Sequence, residues 1–85
     1  MKITKTAESE VYVRRTIDHT LNINGKEIVV REYQTSEPYE IEEPTIEEGY
    51  DELTEAEVEA VEENMGDILL ATVGEDITLE NYEII

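Results

Sequence analysis

Asn24-Gly25 is the residue pair that most narrows what this chain can fold into. A two-residue hairpin loop of type I′ needs positive φ at both central positions, and Asn followed by Gly adopts it with least strain. Upstream, apolar residues fall on the odd positions Val11, Val13, Ile17, Leu21 and Ile23, while Arg14, Thr16, Asp18, Thr20 and Asn22 take the other face. A period of two is the pattern of a half-buried strand. Folding back at the turn sets Ile23 against Lys26, Leu21 against Ile28, His19 against Val30 and Asp18 against Arg31. One face is then largely apolar, and the other pairs opposite charges across strands, worth about 0.2 to 1 kcal/mol per pair. The same register sets Ile17 against Glu32, a mismatch that either ends the inner face or requires a bulge.

A second local signal lies at Leu53-Thr54-Glu55-Ala56-Glu57-Val58. As N-cap, Thr54 accepts from the backbone N–H of Glu57, whose carboxylate reaches back to Thr54, and Leu53 and Val58 occupy the positions of a hydrophobic staple. Val58, Val61, Met65, Ile68, Leu69 and Thr72 then share one stripe of a helix that starts at Glu55. The spacing predicts a helix running to Val73, with Gly66 tolerated at about 1 kcal/mol and Gly74 as the stop. Alternatively, the helix stops between Asn64 and Gly66 and residues 67–73 form a buried strand; periodicity over so short a run does not choose. Residues 77–85 read as a strand with Ile77 and Leu79 on one side and Tyr82 and Ile84 on the other, which requires a bulge near Asn81 or burial of both faces. Residues 36–52 contain Pro38, Pro44, Gly49 and eight acids. The prolines exclude a central strand, leaving an ordered loop, a short edge strand, or a segment that orders on binding. The expected fold class is α+β: an N-terminal β-hairpin plus a C-terminal strand in a small antiparallel sheet, packed by one amphipathic helix. Residues 1–85 are expected to form a single small acidic domain.

Charge divides the chain in two. Residues 36–85 carry eighteen carboxylates and no Lys or Arg, whereas residues 1–35 hold all six basic residues and five acids, for a net charge of −17. A small domain is kept soluble by a net charge of magnitude about 2 to 8, and holding more like charge in one body costs stability through self-repulsion. The excess is expected to face a basic surface. Anionic membranes, DNA and RNA would repel such a chain, so direct nucleic-acid or membrane binding is not expected. The start, Met1 to Thr6, leads into no apolar run, and no window approaches 18 apolar residues. A cytoplasmic location is expected, without signal peptide or membrane span.

Catalytic and cofactor chemistry finds little foothold. No cysteine is present, His19 is the sole histidine and is expected on the inner strand face, and the glycines occur singly, without a phosphate-cradling loop. Pairs such as Glu42-Glu43, Glu47-Glu48 and Glu62-Glu63 have no companion nucleophile. The segments around Gly49 and Gly74 lack the alternating ligands of a calcium loop. No enzyme, metal or cofactor is expected.

On the predicted helix Glu55, Glu59, Glu63 and Asp67 recur every fourth residue, a row about 6 Å apart. Each like-charge pair at that spacing costs roughly 0.2 to 0.5 kcal/mol. Six acids between Glu55 and Asp67 lie along about 18 Å of helix axis, a charge every roughly 3 to 4 Å, near the 3.4 Å rise per phosphate of one DNA strand. A small cysteine-free chain with dense Glu runs around Tyr39, Tyr50 and Tyr82 resembles the acidic inhibitors that phages deploy against restriction or CRISPR effectors. The resemblance covers residues 37–83 and rests on composition; the nearly neutral hairpin departs from it. It implies a phage-encoded nucleic-acid mimic acting in the host cytoplasm on a basic nucleic-acid-binding protein or complex. The expected contact residues are Tyr39, Glu42, Glu43, Glu47, Glu48, Tyr50, Glu55, Glu59, Glu63 and Asp67. The alternative is an assembly module that binds through a free β edge near Tyr33, with the acids as solubilising surface.

Overall fold

The structure, a computed structural model, describes residues 2–34 and 43–79. Five strands form one antiparallel sheet: β1 (Lys2–Val11), β2 (Thr16–Ile23), β3 (Lys26–Tyr33), β4 (Thr45–Glu48) and β5 (Asp76–Thr78). Their order across the sheet is β4-β3-β2-β1-β5. A 3-10 turn at Tyr50–Glu52 and two helices, α1 (Glu55–Glu63) and α2 (Met65–Leu70), lie between β4 and β5 in sequence. The fold is a small α+β sheet packed against helices.

The β2–β3 hairpin has the predicted turn and register. Asn24 and Gly25 have φ of 54° and 82°. Ile23 lies opposite Lys26, and the pairing continues unshifted to Thr16 opposite Tyr33. No bulge is needed at Ile17 and Glu32, because the Glu32 carboxylate turns to the ring of His19, with Oε1 2.9 Å from Nε2. On the opposite face Arg31 grips Asp18 through Nε at 2.9 Å and a terminal guanidinium nitrogen at 3.3 Å.

The strand read from Val11 to Ile23 is in fact interrupted. The chain reverses at Tyr12–Arg15, where Arg15 N donates to Tyr12 O at 3.2 Å and Arg15 adopts a φ of 54°. Val13 is therefore 96% exposed and not on the inner face. Residues before this reversal form β1, a separate strand that the sequence pattern did not disclose. A register shift between Lys5 and Ala7 lets β1 keep Ile3 opposite Ile23 while its other end meets Thr16.

Ile3, Leu21, Ile23, Ile28 and Val30 of the sheet meet Ala60, Val61 and Ile68 of the helices, with Leu79 closing one end of this core. The helix expected as one piece is two. Asn64 parts them at φ −111° and ψ 20°, since its side-chain amide donates to Ala60 O at 2.9 Å, the carbonyl its own N–H also takes at 3.2 Å. Such side-chain competition for the backbone disfavours a continuous helix. Residues 67–70 are helical rather than a strand, and α2 ends at Leu70, short of Val73. Thr72, expected on the buried stripe, is exposed. The C-terminal strand is three residues long where described and pairs with Lys2–Thr4; the expected bulge near Asn81, with Tyr82 and Ile84, lies outside the described residues. β4 is a short edge strand, as the proline-punctuated stretch allowed.

Lys5 is wholly buried. Its ammonium donates to Ala71 O at 2.8 Å and Leu69 O at 3.4 Å and lies 3.4 Å from a Glu8 carboxylate oxygen. It thereby ties β1 to the C-terminal end of α2, where cations are favoured.

Candidate protein-binding face

Residues 36–85 contain no cation, so any ion pair they make must borrow one from the sheet strands. Lys26, just past the hairpin turn, reaches Glu57 on α1 at 2.6 Å, and Asn24 of the same turn donates to the other oxygen of that carboxylate at 2.8 Å. The capping box completes the cage: Thr54 N donates to Glu57 Oε1 at 2.8 Å, and Glu57 N donates to Thr54 Oγ1 at 3.2 Å. Burial alone would push the Glu57 carboxyl up, but the Lys26, Thr54 and Asn24 bonds outweigh it and hold its pKa down to about 2. Glu57, which the sequence placed only as a cap, therefore pins the start of α1 to the hairpin.

Gly49 fixes the approach to that helix. Its φ is 86°, and a Cβ there would stand 2.6 Å from Glu27 O and 2.8 Å from a side-chain carbon of Ile28. Only glycine lets the chain leave β4 and turn this tightly against β3. The 3-10 turn follows at once, so Tyr50 and Leu53 are set beside α1.

Between the turn and α1 lies an open groove of about 310 Å³, lined by Tyr50, Leu53, Glu55, Val58, Glu59 and Glu62. Tyr50 is 53% exposed, and the three glutamates are exposed. Among the described residues no cation pairs with Glu55, Glu59 or Glu62. Of the residues expected to bind a partner, Tyr50, Glu55 and Glu59 are thus brought together. Glu63 is exposed at the end of α1, while Asp67 sits beyond the Asn64 break on α2 and lines a different depression with Leu70, Glu75 and Ile77. The four-membered straight row is therefore cut after Glu63, and with Glu57 buried the surface charge is sparser than the sequence count of acids.

Glu43 and Glu48 are exposed near β4. Glu47 is already engaged: it accepts from Thr45 Oγ1 at 2.8 Å and Tyr33 OH at 3.2 Å and lies 3.5 Å from Arg31. Those bonds, Thr45 foremost, hold its carboxyl below the usual range. Tyr39 and Glu42 lie outside the described residues. Glu62 was missed as a groove residue, although its spacing of seven from Glu55 and three from Glu59 places it on their face.

Three of the other cations are engaged in the sheet. Arg31 is bound to Asp18, Lys2 lies 3.8 Å from Asp76, and Lys5 is buried under α2. Arg14 and Arg15 sit with the exposed Tyr12 and Val13 in the β1–β2 turn. Among the described residues no group of three or more His, Cys, Asp or Glu could hold a metal ion, and no helix is long and apolar enough to cross a membrane. No family model matches the chain, and neither a curated protein nor a solved structure matches it.

Proposed function

We propose that the protein is an interaction inhibitor that occupies the basic, nucleic-acid-binding surface of a partner protein, its carboxylates standing where phosphates would lie. A restriction or CRISPR effector is the partner class that its resemblance to phage inhibitors implies. The observation that carries this reading is the uncompensated face of α1: Glu55, Glu59 and Glu62 flank an apolar groove with no cation of the described chain near enough to neutralise them. Glu57, on the opposite side of the same helix, is by contrast paired and buried. Charge left unpaired costs the free domain through repulsion, and a basic partner returns that free energy on binding.

The test is binding to a panel of nucleic-acid-binding proteins at about 50 and 300 mM salt, with displacement of their nucleic acid as the readout. The expected result is a salt-sensitive complex that releases the nucleic acid. A variant carrying Glu55→Lys, Glu59→Lys and Glu62→Lys should fold and lose the complex; a folded variant that still binds normally would sink the assignment.

A second reading has its own observation. β5 pairs with β1 only at Lys2–Thr4, with Lys5 adding backbone bonds to Glu75 and Gly74, so no described strand covers the outer edge from Thr6 to Val11. On the other side of the sheet β4 covers β3 from Val29 to Arg31, and its described pairing stops two residues short of Tyr33, where a free edge was expected. Strand addition at Thr6–Val11 would make the protein an assembly module. Proline at Ser9 would abolish that binding and leave binding through α1 untouched.

A further inference from the structure

We propose that the groove between the 3-10 turn and α1 receives one arginine side chain of the partner, with the guanidinium against the Tyr50 ring and among the carboxylates of Glu55, Glu59 and Glu62, and the aliphatic stem over Leu53 and Val58. The proposal rests on the acidic-face reading above and names the side chain that this face selects.

Size and lining restrict the occupant. At about 310 Å³ the groove is at the lower end of the roughly 300 to 1,000 Å³ typical of ligand pockets, suited to a side chain rather than a cofactor. Its lining side chains offer three carboxylates, two aliphatic groups and a phenol, a set that repels anions and offers a neutral ligand few donors. Tyr50 is half exposed, and its side chain makes no hydrogen bond among the described residues. An aromatic face beside carboxylates suits a cation, and the kind of cation matters. Lysine's ammonium is a compact, strongly hydrated point charge, whereas a guanidinium is planar, less hydrated, stacks on rings and forks across carboxylates.

Both walls are anchored to the sheet. Gly49 holds the turn against Glu27 and Ile28, and Glu57 holds α1 to Asn24 and Lys26. A groove built this way is preorganised, so little ordering is required when it fills. Arg14 and Arg15 of a second copy offer the same chemistry, but a net charge of −17 on each chain opposes their approach.

Capped hexa-arginine, hexa-lysine and hexa-citrulline peptides, titrated into the full chain and followed by NMR, provide the test. Hexa-arginine should shift the Tyr50 ring and the Leu53 and Val58 methyls saturably and bind about fivefold more tightly than hexa-lysine, and hexa-citrulline should leave them unmoved. Tyr50→Ala should erase the preference for arginine while retaining charge-driven binding. Tyr50→Phe, which keeps the ring, should preserve the preference, and Asp67→Asn on α2 should not alter it. Equal binding of the arginine and lysine peptides, with shifts spread over every exposed acid, would overturn the receptacle and leave the acidic-face reading standing. Binding of neither peptide at low salt would overturn both. Shifts at Tyr50 and Val58 that grow with protein concentration alone would assign the groove to a second copy and overturn a partner arginine as its occupant.

Discussion

The β2–β3 hairpin and helix α1 are both rich in charge, yet they treat it in opposite ways. On the hairpin, Asp18 is paired with Arg31, and Glu32 is hydrogen-bonded to the ring of His19. On α1, Glu57 is matched by a cation from the hairpin, while among the described residues none pairs with Glu55, Glu59 or Glu62. A carboxylate in this molecule is thus either part of the fold or held outward, and its partner decides which. Acids of the first kind stabilise the fold; those of the second repel one another.

Substitutions at the junction should break this contrast most severely. Gly49→Ala forces a side chain into a left-handed backbone and against β3, and should destabilise the protein by about 3 kcal/mol in a denaturant titration, detaching the turn and α1 from a hairpin that retains its register. Lys26→Met leaves Glu57 buried without its cation. The expected loss is roughly 2 to 3 kcal/mol, with the bonds from Asn24 and Thr54 limiting it.

Acid sharpens the distinction. The Glu57 carboxyl has a folded pKa depressed from 4.5 to about 2, so its contribution is fully present above about pH 4.5 and is lost as pH falls toward 2. Asp18, lowered chiefly by its hydrogen bond from Arg31, loses its contribution in the same direction. Thermal unfolding followed across this window should show a decline of order 2 kcal/mol that Glu57→Gln reduces, leaving the part owed to Asp18. If the decline persists unchanged in that variant, Glu57 is not the group responsible.

The smallest expected effect has the opposite sign. Replacing Glu59 and Glu62 by Gln relieves a like-charge pair three residues apart, beyond the first turn of α1, and should stabilise the free protein by about 0.2 to 0.5 kcal/mol. Added salt should raise the unfolding midpoint of the parent more than that of this variant, since screening acts on exposed charges and little on the Glu57 cage. A midpoint that falls with salt would mean that the outward carboxylates do not repel one another.

The features legible in the sequence are those written in adjacent residues. Asn24-Gly25 fixed a turn and through it eight strand pairs, and Thr54 with Glu57 marked the start of α1 to the residue. What could not be read lay in long-range pairings or in residues acting against type. The turn at Tyr12–Arg15 contains no glycine, proline or asparagine, and Val11 and Val13 continued the alternation straight through it. Periodicity left a stop between Asn64 and Gly66 as the alternative to one long helix; the break falls at Asn64, whose amide takes the Ala60 carbonyl, and the chain resumes as helix and not as a strand. The groove escaped notice for a similar reason. Glu55 and Glu62 share a helix face by spacing alone, but only the close approach of Gly49 to β3 brings Tyr50 beside them.

Lys5 sets a condition on how the chain can be made. Its acceptors, Leu69 O and Ala71 O, are contributed 64 and 66 residues later. While the ribosome is still translating the helices, β1 can pair with β2, but an ammonium is then aimed at an apolar face with its carbonyls not yet synthesised. Desolvating it there is unfavourable, so the first strand docks fully only after α2 has left the exit tunnel. A fragment cut before Leu69 meets the same obstacle. Reductive methylation offers a readout: Lys5, wholly buried in the intact protein, is expected to be protected there and to react in a chain whose last turn of helix is missing.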